Sequence, residues 1–302
     1  MDIQFLQRAE IDTTKWNACV QRSSNGLLYS YAYYLDCVCS QWDGLVLGDY
    51  EAVMPLPWRH KWGVFYLYQP YLAAQLGVTA DHITPQTMQH FLNAIPKKFR
   101  FWDLALNHGN VYSVPDYPFQ LRSNYTLDLQ LGYEKIFADY RLNTRRNRSK
   151  ALVQNCTVEK NLSIETAIDL VKKYTPVSRG QHFPVYRFQQ LFSILKQQGK
   201  AMAYGVISPN KQLLSTAIFM WSNGRVYYLL AANHAQGKQW GTSYQLIDAF
   251  IEQHAGQHLL LDFEGSDHAG LAFFYSGFGA IEEKYSALQI NRLPSWVKWL
   301  KK

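Results

Sequence analysis

The clearest hydrophobic patterning lies in the second half of the chain. Three apolar runs, 202–207, 213–221 and 226–232, are separated by Ser208-Pro209-Asn210 and Ser222-Asn223-Gly224. Short apolar runs bounded by turn residues predict a three-stranded meander. Ahead of it, a strand at 125–130 leads through Gly132 to a helical segment in which Tyr133, Ile136, Phe137 and Tyr140 recur at helical spacing. A β-like stretch follows at 157–160. Ser163 is the expected N-cap of a helix running towards Tyr174, and a further helix at 185–198 ends at Gly199. After the meander the pattern predicts a helix over 242–254 stopped by Gly256, a strand at 259–263, a short helix around 271–276 and a last strand at 283–290.

The first half reads more sparsely. Strands at 44–47 and 52–56 flank the turn Gly48-Asp49-Tyr50. Trp62-Gly63 turns into a strand at 64–68, a helix is expected near 85–94, and a strand at 101–104. The mixed order of strands and helices predicts an α/β chain, an α+β mixed sheet with helices on both faces. Three landmarks also recur: Gly63 with Gly224, Gln75-Leu76-Gly77 with Gln239-Trp240-Gly241, and Trp102-Asp103 with Leu261-Asp262. Their offsets are 161, 164 and 159 residues. A near-constant offset points to an internal duplication with a boundary near 120–125, giving expected domains 1–122 and 123–302.

Composition changes this picture in one respect. The 302 residues are ordinary in hydrophobic and charged content, which excludes disordered, collagenous and coiled-coil classes, but the net charge is +7. Residues 1–122 hold nine Lys/Arg and ten Asp/Glu, whereas residues 123–302 hold 21 and 13. The second half therefore carries the positive charge, part of it in the run from Arg141 to Lys150. That invites an anionic partner: nucleic acid, acidic membrane or a phosphate-bearing group. No signal peptide or 18-residue apolar window stands out. Cys19, Cys37, Cys39 and Cys156 form no metal-spaced pair, so buried reduced thiols and a cytoplasmic protein are expected.

Two stretches, together with the repeat, carry a family likeness. One is the helix ending Arg145-Arg146-Asn147-Arg148-Ser149-Lys150-Ala151-Leu152. The other is Leu261-Asp262-Phe263-Glu264-Gly265 followed by Phe274-Tyr275-Ser276-Gly277-Phe278-Gly279-Ala280. In these the chain resembles the FemABX-like transferases, which pair two GNAT N-acyltransferase folds in tandem. The resemblance implies a degenerate N-terminal copy and a donor-binding C-terminal copy. It further implies transfer of an acyl group from acyl-CoA, or of an aminoacyl group from a tRNA-linked donor, to a small-molecule or peptide amine. The sequence departs from the family in leaving no room for the long helical arm of some aminoacyl-transferring members, which counts against a tRNA-linked donor.

Against the family's phosphate-loop pattern Q/R-x-x-G-x-G/A, the matching stretch is Gln236-Gly237-Lys238-Gln239-Trp240-Gly241, with Thr242 opening the next helix. Gln236 and Gly241 fit, and Gln239 stands where the central glycine belongs. Backbone amides at such a helix N-terminus suit a pyrophosphate. Gln75-Leu76-Gly77 lacks flanking positive charge and is expected to bind no cofactor. On a continuous helix Arg141, Arg145 and Arg148 would fall within about 60° of one another, a stripe able to grip a phosphate or carboxylate, or simply a solvated helix end. Acyl transfer to an amine needs a base and an acid. Glu264 and Asp262 are the candidate bases, Tyr275 and Tyr285 the candidate acids, and His234 and His268 are nearby loop residues. The aromatic clusters 29–34 and 58–71 read as core, although rings beside Arg59, His60 and Lys61 also suit stacking on a base or sugar. Two classes stay open at this point: an N-acyltransferase without a metal, and a non-catalytic polyanion- or RNA-binding or scaffold protein.

Overall fold

The computed structural model describes residues 2–175, 183–265 and 267–293. The chain forms two compact units, one of Met1–Arg122 with Lys284–Lys302 and one of Ser123–Glu283.

The first unit begins with β1 (Ile3–Leu6), α1 (Thr13–Arg22) and α2 (Ala32–Val38). There follow β2 (Trp42–Leu47), β3 (Ala52–Lys61), β4 (Val64–Leu67), the short β5 (Thr79–Ala80), α3 (Pro85–Ala94) and β6 (Phe99–Ala105). Strands β1 to β4 pair antiparallel in sequence order, and β6 joins β4 in parallel after the crossover that holds α3. Capping explains the helices. The Asp12 carboxylate accepts the Thr14 and Lys15 amides at 2.9 and 3.1 Å, and Thr84 caps α3 with Pro85 in its first turn. Helices α1 and α2 are additions to the sequence reading. The α1 packing face is anchored by Trp16, whose indole N–H donates to the Ser30 carbonyl at 2.8 Å and whose ring meets Trp42 edge-on.

Strand β7 (Phe119–Asp128) leads into the second unit. Its elements are α4 (Tyr133–Ala138), α5 (Leu142–Val153), β8 (Thr157–Glu159), α6 (Ile164–Tyr174), α7 (Val185–Gln197), β9 (Ala201–Ile207), β10 (Leu213–Ser222) and β11 (Arg225–Asn233). Then come α8 (Ala235–Trp240), α9 (Thr242–His254), β12 (Leu260–Asp262), α10 (Ala269–Ser276) and β13 (Ile281–Asn291). Strands β8 to β11 form the expected meander, extended by one strand. β12 lies parallel to β11, and β7 pairs antiparallel with β12. The β10–β11 loop is Asn223-Gly224 with φ of 48° and 69°, the positive values a tight two-residue hairpin needs.

The C-terminal part of β13 belongs to the first unit, where Ala287 to Asn291 pair antiparallel with β6. Each unit thus has the same pairing order: four antiparallel strands, one parallel strand after a helical crossover, and one antiparallel strand from elsewhere in the sequence. In the first unit it is β1-β2-β3-β4-β6-β13, and in the second β8-β9-β10-β11-β12-β7.

One predicted helix is broken. The segment from Tyr133 to Lys150 is not continuous: α4 ends at Ala138, and Arg141 is extended (φ −62°, ψ 150°) as the residue preceding α5. The interruption is held from both sides. The Arg145 guanidinium donates to the Phe137 and Ala138 carbonyls at 3.1 and 2.7 Å, satisfying the end of α4, and the Arg141 amide donates to the Gly277 carbonyl at 2.9 Å.

The second unit's core centres on Tyr204, Phe219 and Phe250, with Phe219 and Phe250 stacked at 3.8 Å. All four cysteines are buried, and none is in a disulfide. No helix among the described residues is long and apolar enough to cross a membrane.

His254, at the end of α9, packs on Phe250 and Trp221, shares one ring nitrogen with Gln257, and leaves Nε2 buried without a partner. Burial lowers its pKa below the usual histidine value. The unfolded chain therefore takes up the proton first as pH falls, and the stability that neutral His254 contributes is present above about pH 6.5 and lost below it. Urea midpoints of the wild type should fall more between about pH 7.5 and about pH 5 than those of His254→Phe.

Candidate functional site

In the second unit one pair of parallel strands separates early. β11 and β12 pair in parallel only through Arg225↔Leu260, Val226↔Leu261 and Tyr227↔Asp262, after which β11 continues to Asn233. Beyond Asp262 the chain turns away through Glu264 and Gly265, both left-handed with φ of 62° and 75°. A Cβ on Gly265 would sit 2.8 Å from the Ser123 carbonyl oxygen, so the turn is pressed against β7 and only glycine fits. Glutamate is an unusual occupant of the left-handed region, and its amide is held there by the Asp262 carboxylate at 2.8 Å. Asp262 is itself buried and paired with Arg225 at 2.8 Å, and Arg225 also grips Glu283 at 2.6 Å. Burial opposes the charge on Arg225, yet the Glu283 hydrogen bond and the two carboxylates hold its pKa above the ordinary value. Burial likewise raises the Asp262 carboxyl, against the pull of Arg225.

The walls of this opening are aromatic. Tyr275 of α10 stacks on Phe263 at 4.7 Å and lies 6.4 Å from Tyr228 of β11. Burial, and next the nearby Glu264 charge, push the Tyr275 phenol well above its ordinary pKa, so it remains a protonated donor. The Tyr228 phenol is raised in the same sense by burial and by Tyr275.

A second feature lies between α5 and α8. A groove of about 560 Å³ is lined by Arg145, Arg146, Ser149 and Lys150 on one side and by Gln239 and Trp240 on the other. Helix α8 is seated beside this groove by two close backbone approaches. A Cβ on Gly241 (φ 74°) would lie 2.3 Å from the Asn147 carbonyl oxygen of α5, and one on Gly237 2.5 Å from the Leu214 carbonyl oxygen.

No protein-family model matches the chain, and no curated protein is significantly similar to it in sequence. Solved structures are similar in fold. The crystal structure of FemX superposes with a TM-score of 0.64 at 13% identity, covering 95% of this chain and 97% of that one. The C-terminal domain of a putative lysylphosphatidylglycerol synthetase from Agrobacterium fabrum gives 0.56 at 11% identity, covering 97% and 95%. L-PGS from Bacillus licheniformis gives 0.56 at 12%, covering 94% and 93%. The chain has a FemABX/GNAT-like fold.

Within this FemABX-like fold the sequence-predicted residues are dispersed. Glu264 follows the end of β12, and Tyr275 stacks on the adjacent Phe263, near enough for the Glu264 charge to act on its phenol. Arg145 and Gln239 meet in the α5–α8 groove, where they are joined by Arg146 and Lys150, which the stripe reading had passed over. Arg141 lies over the exposed Phe273 ring at 5.1 Å, and Arg148 is engaged by the buried Asp248, which also accepts the Tyr133 hydroxyl at 2.8 Å. The continuous Arg141–Arg145–Arg148 stripe is thus broken up, because the helix restarts at Leu142. Tyr285 groups with the first unit and is buried there.

The 236–241 segment is not an open loop but the helix α8. His234 caps it, accepting the Gln236 amide through Nδ1 at 3.1 Å and the Lys238 amide through its carbonyl at 3.0 Å, and the Gly241 amide closes onto the Gly237 carbonyl. Those three amides are consumed inside the protein. Thr242 is buried, bonding Ser215 and the Gly237 carbonyl. His268 caps α10 through Nδ1. No cluster of three or more metal-ligating side chains occurs among the described residues.

Tyr228 was invisible to the sequence reading, as one tyrosine among 21. Its only signal was its place on the strand whose parallel partner stops short.

The close approach at Gly241 makes a checkable prediction. Gly241→Ala combines a left-handed residue, costing roughly 1–2 kcal/mol, with a collision against the α5 backbone. It should lower unfolding free energy by more than about 2 kcal/mol in urea titration.

Proposed function

We propose that the protein is an N-acyltransferase or aminoacyltransferase, acting at the strand opening of its second unit. The observation that carries the reading is the abrupt end of β11–β12 pairing at a strained turn that sets Glu264 beside Tyr275. In this reading an amine acceptor enters between the strands. Glu264 takes the proton from the ammonium, or from the nitrogen as it attacks the donor carbonyl. The Tyr275 hydroxyl, kept protonated by its surroundings, donates to the developing oxyanion or the leaving group. Tyr228 packs beside Tyr275 and shapes the acceptor side.

The donor is a phosphate-bearing carrier. The side-chain cations Arg146 and Lys150, with Arg145 and the flat Trp240 surface, are the groups suited to hold it in the α5–α8 groove. Three of the amides that a pyrophosphate loop offers are already hydrogen-bonded in α8, which favours a donor gripped by side chains, as a tRNA-linked aminoacyl group would be, over acyl-CoA. The shared pairing order of the two units supports tandem GNAT-like copies, the first without a donor role. In that first copy the amides of Val78, next to Gly77, and of Ala80 in β5 are taken by Asn110 and Asn25 at 2.8 and 3.1 Å.

The test is transfer of label from aminoacyl-tRNA or acyl-CoA to a panel of amines. Glu264→Gln should lower kcat by about 10²- to 10⁴-fold, whereas Arg146→Glu with Lys150→Glu should act chiefly on the donor KM. Absence of transfer from both donor classes, with salt-dependent RNA binding retained, would instead favour a non-catalytic polyanion-binding protein.

A further inference from the structure

The β3–β4 hairpin of the first unit carries an oddity that the transferase reading does not use. Lys61↔Val64 closes a two-residue loop, Trp62-Gly63, with φ of 51° and 75°. Loops with positive φ at both positions select Asn, Asp or Gly at the first, because a bulky L side chain is disfavoured in the left-handed region. The chain follows that rule in its other hairpin of the same kind, where Asn223 occupies the corresponding place at φ 48°. At Trp62 it does not, and packing gives little in return: the indole is 70% exposed, and its ring contact is the Lys61 ammonium at 4.4 Å. A strained backbone that presents a large ring to solvent is an expense with no structural return.

The surroundings of the ring are cationic. No acidic residue occurs between Glu51 and Asp81, while Arg59, His60 and Lys61 lead into the turn. The register Phe65↔Phe99 brings the start of β6, with Lys97, Lys98 and Arg100, alongside β4. Asp43 lies 3.9 Å from Lys98 at this end and is itself only 5% exposed. Residues 1–122 hold nine Lys/Arg against ten Asp/Glu, so the charge is concentrated here rather than general.

We propose that this tip is an interfacial anchor: Trp62 inserts into the headgroup region of an anionic lipid bilayer, and the surrounding lysines and arginines hold the phosphate headgroups. Indole is the side chain suited to that depth, apolar in the ring and polar at the N–H, and basic residues beside it are attracted by the negative surface potential. The shape decides between lipid and single-stranded nucleic acid. Nucleic acid asks for a groove with successive stacking rings. Here a single indole projects from a convex turn, while Phe65 is covered by His60 at 4.4 Å and the Arg59 guanidinium lies over Tyr68 at 4.1 Å. The proposal is independent of whether the second unit transfers an acyl group.

The test is flotation of the full chain with vesicles of phosphatidylcholine alone and of phosphatidylcholine with about a quarter phosphatidylglycerol, at low and high salt. The wild type should bind the anionic vesicles and be released by salt. The tryptophan fluorescence lost in Trp62→Phe should be the part that shifts to the blue on binding. Trp62→Asn separates anchoring from folding. It installs the favoured turn residue, so its melting temperature should equal or exceed that of the wild type while its vesicle partitioning falls at least about tenfold. Lys61→Glu with Lys97→Glu should weaken anionic binding without changing the weak binding to neutral vesicles. Equal partitioning of Trp62→Asn and wild type, indifference to the anionic lipid, or Trp62-dependent binding to a single-stranded RNA oligonucleotide in preference to vesicles would each overturn the proposal.

Discussion

The buried guanidinium of Arg225 is the contact on which the second unit's site depends. It stands at the start of β11 and reaches Asp262 at the end of β12 and Glu283 on β13, while Asn124 of β7 adds its amide to Glu283 at 3.0 Å. One cation thereby ties four strands of one sheet. Such a network adds little net stability over a well-packed apolar substitute, but removing one partner strands a buried charge, at a cost of about 3–5 kcal/mol. Its value here is positional. With one carboxylate oxygen on Arg225, Asp262 is oriented so that the other accepts the Glu264 amide, and this holds glutamate in a conformation that it does not adopt unaided.

The regular parts of the chain were legible because their signals are local. The meander, the Ser163 cap, the Pro85–Ala94 helix and the α9 helix with its glycine stop all follow from periodicity and turn residues. What the sequence concealed depends on distant partners. The break between α4 and α5 contains neither proline nor glycine. It exists because Arg145 folds back on two carbonyls and Gly277 receives the Arg141 amide. Helix α8 was read as a loop because its glycines looked like anion-binding positions, whereas Gly237 and Gly241 are small to let neighbouring backbones approach. The first unit's opening helices were missed because α1 is on average polar, with Trp16, Cys19 and Val20 carrying its buried face.

The positive charge of the second half divides by task once the fold is known. Arg148 neutralises the buried Asp248, Arg145 is partly spent on the end of α4, and Arg141 lies over Phe273. The exposed cations of this run left to face the α5–α8 groove are Arg146 and Lys150, one turn apart on α5. A basic run in a sequence is thus a mixture of structural and available charges. A helical wheel cannot sort them, because the sorting depends on what is packed beneath.

The pairing of β13 with β6 bears on the order in which the chain is built. During synthesis from the N-terminus, β6 emerges early but lacks its antiparallel neighbour until Ala287 to Asn291 have been made. The whole of the second unit has by then been synthesised. Its own meander and parallel strand are close to one another in the sequence, so they have no comparable wait. The unit that comes first in the sequence is therefore the last to be completed, and until then it presents an unsatisfied strand edge of the kind that recruits foreign strands.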